Sequence, residues 1–114
     1  MRTVEKPWGR ELWWAVTERY VGKIIEVRAG HRLSLQLHRV KMETLLFQRG
    51  TGTLTLGERT LPIEEGLCVT IPPGTVHRVE ADSDVVFLEV STPETGDVVR
   101  LADAYGRAEG DAAG

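Results

Sequence analysis

Between two glycines, Gly30 and Gly50, the chain runs HRLSLQLHRVKMETLLFQR, and this stretch constrains the fold more than any other. Gln36 and His38 lie two residues apart, so on a β-strand both side chains point to one face. Glu43 follows a short polar break, RVK, and opens a second apolar run, ETLLF. A hairpin over this stretch brings the three side chains together. An amide oxygen, an imidazole and a carboxylate converging on one point suit a divalent metal. A fourth group comes from further along. In GLCVTIPPGTVH, residues 66–77, an apolar strand ends in a Pro-Pro-Gly turn and His77 opens the next strand.

The two stretches resemble the paired motifs of the cupin superfamily, G-x5-H-x-H-x4-E-x6-G and G-x5-P-x-G-x2-H-x3-N. Gln36 stands at the first histidine of the pattern, and Ala81 at the closing asparagine. RLSLQ-x-H followed by an acid is similar to a narrower group, the cupin domain of type II phosphomannose isomerases. KPWG at residues 6–9 and DVVRLADAYGR at residues 97–107 extend the likeness over nearly the whole chain. The resemblance implies an all-β cupin fold, a double-stranded β-helix or jelly-roll barrel. It implies a metal held by Gln36, His38, Glu43 and His77, and zinc before manganese, iron, cobalt or nickel. It further implies pairing as a homodimer and aldose–ketose isomerisation of a sugar phosphate. Arg100 and Arg107, in the shared tail, become candidates for the substrate end.

At 114 residues the chain is expected to form one domain, with a core over about 10–92 and a C-terminal tail over 93–114. Its formal net charge of -3 gives no electrostatic reason to expect nucleic acid or an anionic membrane as a partner. No apolar run approaches the roughly 20 residues of a membrane span, and MRTVEKPWGR lacks the apolar stretch of a signal peptide. A single cysteine, Cys68, fits a reducing compartment. A cytoplasmic location is the expectation.

Short apolar runs broken by glycine and proline predict strands over 11–17, 20–27, 32–38, 43–48, 51–56, 59–63, 67–71, 77–80 and 85–90. In 20–27, Lys23, Ile25 and Val27 share a face. In 32–38, alternation places Arg32, Ser34, Gln36 and His38 on the site face and Leu33, Leu35 and Leu37 outside, where another sheet or subunit would cover them. Pro62 suggests an edge strand. The run 67–71 reads as buried, with Cys68 in the core. Residues 101–105 suggest a helical turn, and 108–114 a frayed end.

Several further residues carry two readings. Arg32 and Ser34 are substrate-binding candidates, Arg32 as a clamp on a phosphate or as a mouth residue paired with a surface acid. Lys23 is a catalytic candidate, or a solvated lysine near a strand start. Glu89 lies in a very apolar strand, either as a buried acid able to move protons or as an edge residue facing water. His31 reads as a turn histidine. Trp8, Trp13 and Trp14 read as packing or dimer contacts, or as a stacking platform for a sugar. The leading function is isomerisation, in which a base carries a proton between two carbons through an enediol beside a metal. The alternatives are a non-catalytic barrel binding a sugar or other small molecule, and a small metal-dependent dioxygenase.

Overall fold

The structure, a computed structural model, describes residues 1–106. Among them are eleven strands and no helix: β1 (Arg2–Lys6), β2 (Gly9–Val16), β3 (Val21–Val27), β4 (Leu35–Leu37), β5 (Glu43–Arg49), β6 (Gly52–Leu56), β7 (Arg59–Ile63), β8 (Cys68–Ile71), β9 (His77–Ala81), β10 (Val85–Ser91) and β11 (Val99–Ala102). They form two antiparallel sheets, one ordered β1-β2-β3-β10-β5-β8 and the other β11-β4-β9-β6-β7. The core is the space between them.

Alternation along each strand divides that space into two ends. On β3 the inward residues run Lys23, Ile25, Val27, and the antiparallel partners on β10 run Glu89, Phe87, Val85 in register. On β5 they run Glu43, Leu45, Phe47, with Phe87 opposite Phe47 and their rings 5.0 Å apart. On β9 the order is His77, Val79, Ala81. Every one of these strands is apolar at one end of the barrel and polar at the other. Trp8, fully buried in the β1–β2 turn, plugs the apolar end beside Val27 and Val85. The polar end, closed off from water by the same walls, holds the candidate site.

Two turns aim the polar strands. Gly50 adopts φ +96, and a Cβ there would lie 2.1 Å from the Asp84 carbonyl oxygen, so only glycine lets β5 turn against the start of β10. After Pro72-Pro73, Gly74 donates its N–H to the His38 carbonyl at 2.6 Å, tying the turn before His77 to the strand that carries His38.

The structure corrects five expectations. The strand over 32–38 is only three residues long, β4, because its first part breaks phase. Leu33 points into the core and donates its N–H to the Val79 carbonyl, Ser34 is buried next to it, and Arg32 points outward. Two consecutive buried residues reset the alternation, which is how Gln36 and His38 reach the interior while Arg32 does not. The run 67–71 is not buried. β8 is the edge of its sheet, half of it faces solvent, and Cys68 is exposed. Residues 99–102 form β11, which takes the first two residues of the helical turn expected over 101–105, because β4 presents an open edge that this segment pairs with. The sheet also begins earlier than residue 10, with β1 on β2. Finally, the leucine face is only half exposed, with Leu33 in the core and Leu35 and Leu37 half-buried. Pro62 does lie on an edge strand, β7. The expected frayed end, 108–114, and Arg107 lie outside the described residues.

Candidate metal centre

Gln36, His38, Glu43 and His77 line one small cavity at the polar end, each 3–4 % exposed. Gln36 on β4 sits directly opposite His77 on β9. His38 follows β4 by one residue, and Glu43 opens β5. His38 Nε2 lies 3.2 Å from Glu43 Oε2, and His77 Nε2 lies 3.6 Å from Glu43 Oε1. One ligand atom from each of these three residues falls within 4.8 Å of the others.

The protonation pattern follows from the outer contacts. His38 Nδ1 is 2.5 Å from the Asp97 carbonyl oxygen, and His77 Nδ1 is 2.9 Å from that of Thr75. A carbonyl oxygen only accepts, so in each ring Nδ1 carries the hydrogen and Nε2 presents its lone pair inward. Both Nε2 atoms and Glu43 Oε2 are buried without a hydrogen-bond partner. Two imidazole lone pairs facing a carboxylate, which has only the Lys41 ammonium on its far side, is an arrangement that a cation among the three relieves. Backbone carbonyls fixing the far ring nitrogens are the support that metal-binding histidines ordinarily have. Burial pushes the His77 imidazole below its ordinary value, which keeps the ring neutral and able to ligate. Burial alone would push the Glu43 carboxyl up, but the positive field of the buried Lys41 ammonium opposes it and the group is held in its anionic form.

Gln36 joins this cluster through its amide. Ser34 Oγ lies 2.7 Å from Gln36 Oε1 and donates to it, which fixes the amide and leaves the second lone pair of that oxygen available. Ser34 therefore sits in the site as the anchor of Gln36. Lys23 and Glu89 also line the cavity, but each is committed to a partner. Lys23 Nζ lies 3.4 Å from Glu11 Oε1 and 4.2 Å from the centre of the Trp13 ring, while Glu89 Oε2 accepts from Lys41 Nζ at 3.2 Å. Neither is solvated, so the strand-start and edge readings both fail. Arg32 lies outside the cavity, paired with Glu80 at 3.4 Å on the surface. Arg100 is buried on β11 opposite Gln36. His31 stacks on Tyr105 and meets its hydroxyl at 2.6 Å, away from the cluster. Trp13 is half-buried, donating to Glu11 and covered by Arg2 and Lys23. Trp14, 49 % exposed, lies over Gly22 on the outer face.

Three site residues escaped sequence reading. Lys41 is 3 % exposed, with Nζ 3.2 Å from both Glu43 Oε2 and Glu89 Oε2. Burial works against its charge, but Glu89 and Glu43 outweigh it and raise its pKa. Asp97 accepts the backbone N–H groups of Arg39, Val40 and Lys41 at 3.1, 2.7 and 3.0 Å, so one carboxylate shapes the loop between His38 and Glu43. Arg78 lines the cavity and donates to the Leu33 carbonyl. Lys41 lay within RVK, read as a polar break, and nothing local marks a lysine for burial. Asp97 acts across 56 to 58 residues of chain, which no local pattern shows.

Two facing antiparallel sheets that close around a His-Glu-His cluster define a cupin. An RmlC-like cupin from Shewanella frigidimarina shares the fold, with a TM-score of 0.72 at 12 % identity over 77 % of this chain and 78 % of that one. The chain belongs to the mannose-6-phosphate isomerase C-terminal family, whose family model matches residues 1–103. The xanthan biosynthesis protein XanB of Xanthomonas campestris is 34 % identical over 112 residues, covering 93 % of this chain and 24 % of XanB. The mannose-1-phosphate guanylyltransferase ManC of Salmonella typhimurium is 34 % identical over 111 residues, covering 93 % of this chain and 23 % of ManC. The chain thus spans about a quarter of the length of these relatives.

Proposed function

We propose that this chain is a divalent-metal cupin that interconverts an aldose and a ketose phosphate, mannose 6-phosphate being the first substrate to try. The observation that carries the metal is the convergence of two buried, unpartnered imidazole nitrogens, His38 Nε2 and His77 Nε2, on the Glu43 carboxylate, each ring locked in its ligating tautomer by a backbone carbonyl. Gln36 Oε1 completes a four-ligand set, and family membership supports the sugar phosphate. Bound there, the ion supplies a Lewis acid for neighbouring carbonyl and hydroxyl oxygens. The chain's own part is to keep that ion in a dry polar pocket and to offer charged groups beside it. Lys23 and Glu89 are the candidates for moving the proton, and Ser34 and Arg100 for orienting the substrate. Pairing with a second copy accounts for the apolar outer face, where Leu12, Ile24, Leu88 and Leu46 form one row across β2, β3, β10 and β5.

A second reading has an observation in its favour. The cavity among the ligands has a free volume of about 10 Å³, room for one ion or water and not for a hexose phosphate. A barrel that holds an ion and binds a small molecule at its mouth, without turnover, fits that volume. One experiment separates the two. Elemental analysis of the purified protein is run beside a His38→Ala/His77→Ala variant, followed by a mannose 6-phosphate to fructose 6-phosphate assay. Near-stoichiometric metal that the variant loses, with turnover, supports isomerisation. Metal without turnover on any aldose phosphate leaves the binding barrel. No metal in either protein after incubation with zinc, manganese and cobalt overturns both.

A further inference from the structure

We propose that Lys41 is a displaceable internal counter-ion of this centre, shared between Glu43 and Glu89 when the site is empty and held by Glu89 alone when it is filled. It thereby sets how tightly the ion is bound. The inference rests on the reading of His38, Glu43 and His77 as ligands.

Its basis is geometric. Lys41 Nζ is equidistant, at 3.2 Å, from one oxygen of each acid. Both contacts, to Glu43 Oε2 and to Glu89 Oε2, are buried ion pairs, and the one to Glu89 Oε2 is the better directed as a hydrogen bond. That same Glu43 oxygen lies 3.2 Å from His38 Nε2, so it faces the ammonium and the ligand cluster at once. An ion in the cluster and the ammonium therefore compete for one oxygen.

Charge decides the competition. The two carboxylates and the ammonium carry one net negative charge, and a divalent ion turns this into one net positive charge. With the ion present, Lys41 meets repulsion from the Glu43 side and attraction only from Glu89. Its backbone is pinned, because Asp97 accepts the Lys41 N–H at 3.0 Å, so the adjustment is a rotation of the side chain. All three groups are at most 5 % exposed, so water screens little of this. Burial of a Glu-Lys-Glu set is also a weak source of stability compared with apolar packing, which leaves the role to the site.

The opposite signs of two variants form the test. Cobalt(II) is titrated into the full chain against a competing chelator, read by its visible absorption. Glu89→Gln gives Lys41 to Glu43 alone and should weaken cobalt binding by about tenfold. Lys41→Met/Glu89→Gln removes the competitor while keeping the buried charge balanced, and should bind about tenfold more tightly than the parent. Both variants are checked for the parent's far-ultraviolet spectrum. If the folded variants stay within twofold of the parent, or both bind more weakly, Lys41 is a packing residue and the proposal is wrong. Glu89→Gln alone is decisive if the double variant does not fold, since unchanged or tighter binding in it excludes competition. A parent that takes up no cobalt, or a His38→Ala/His77→Ala variant that binds it equally well, overturns the ligand reading, and Lys41 falls with it. A failure confined to the lysine variants leaves the ligand reading standing.

Discussion

At the residue scale the site depends on groups that never touch an ion. Asp97 holds the His38 ring through its carbonyl and the 39–41 backbone through its carboxylate. Asp97→Ala should therefore weaken metal binding by about 10- to 100-fold while leaving all four ligands in place, measured by chelator competition. Its main-chain carbonyl survives the substitution, so what is lost is the loop's shape. The buried His77 fixes a pH response. Its pKa in the folded chain lies below the ordinary 6.5, so the unfolded chain takes up the proton first. The stability this histidine allows is fully present above about pH 6.5 and is lost as pH falls below it. Urea midpoints of metal-free protein should drop between about pH 7 and 5.5, and His77→Gln should flatten the drop. The convergence of Gln36, His38, Glu43 and His77 on one cavity was legible because glycine and proline framed them at fixed spacing. Lys41 and Asp97 were not, since burial and capping across 56 to 59 residues are properties of the fold and leave no local mark.

At the scale of the element, turns carry as much of the design as strands. Gly50→Ala puts a side chain into a left-handed backbone and within 2.1 Å of the Asp84 carbonyl. A loss of about 1–3 kcal/mol is expected from the backbone alone, read from thermal or urea unfolding, with a further loss from the clash. Strands were easiest to place where alternation ran unbroken, as in β9 and β10. They were hardest where it slipped. At Leu33 and Ser34 two neighbours both turn inward, and the face assigned to Arg32 inverts. In β8 the residues Cys68, Val69 and Ile71 look like a core strand, yet composition does not say which strand ends a sheet. Residues 99–102 were missed because they pair only with an edge that exists once β4 is in place.

At the scale of the whole molecule, the interior is half oil and half charge. Two buried acid–base sets, Glu11 with Lys23 and Lys41 with its two glutamates, sit on the walls around the cluster. Lys23→Met alone strands Glu11 and should cost about 3–5 kcal/mol, whereas Glu11→Leu/Lys23→Met should be neutral or stabilising. Trp13 fluorescence reports both, because its indole donates to Glu11 and lies under Lys23. On the outer face, Leu46→Lys/Val90→Lys should shift sedimentation toward the monomer if a second copy covers the row of apolar side chains. The dependence of His38 on Asp97, 59 residues downstream, also bears on how the protein is made. A ribosome must have delivered Asp97 before the first imidazole can be steered, so a chain that has just passed His77 carries all four residues of the cluster without the means to aim them.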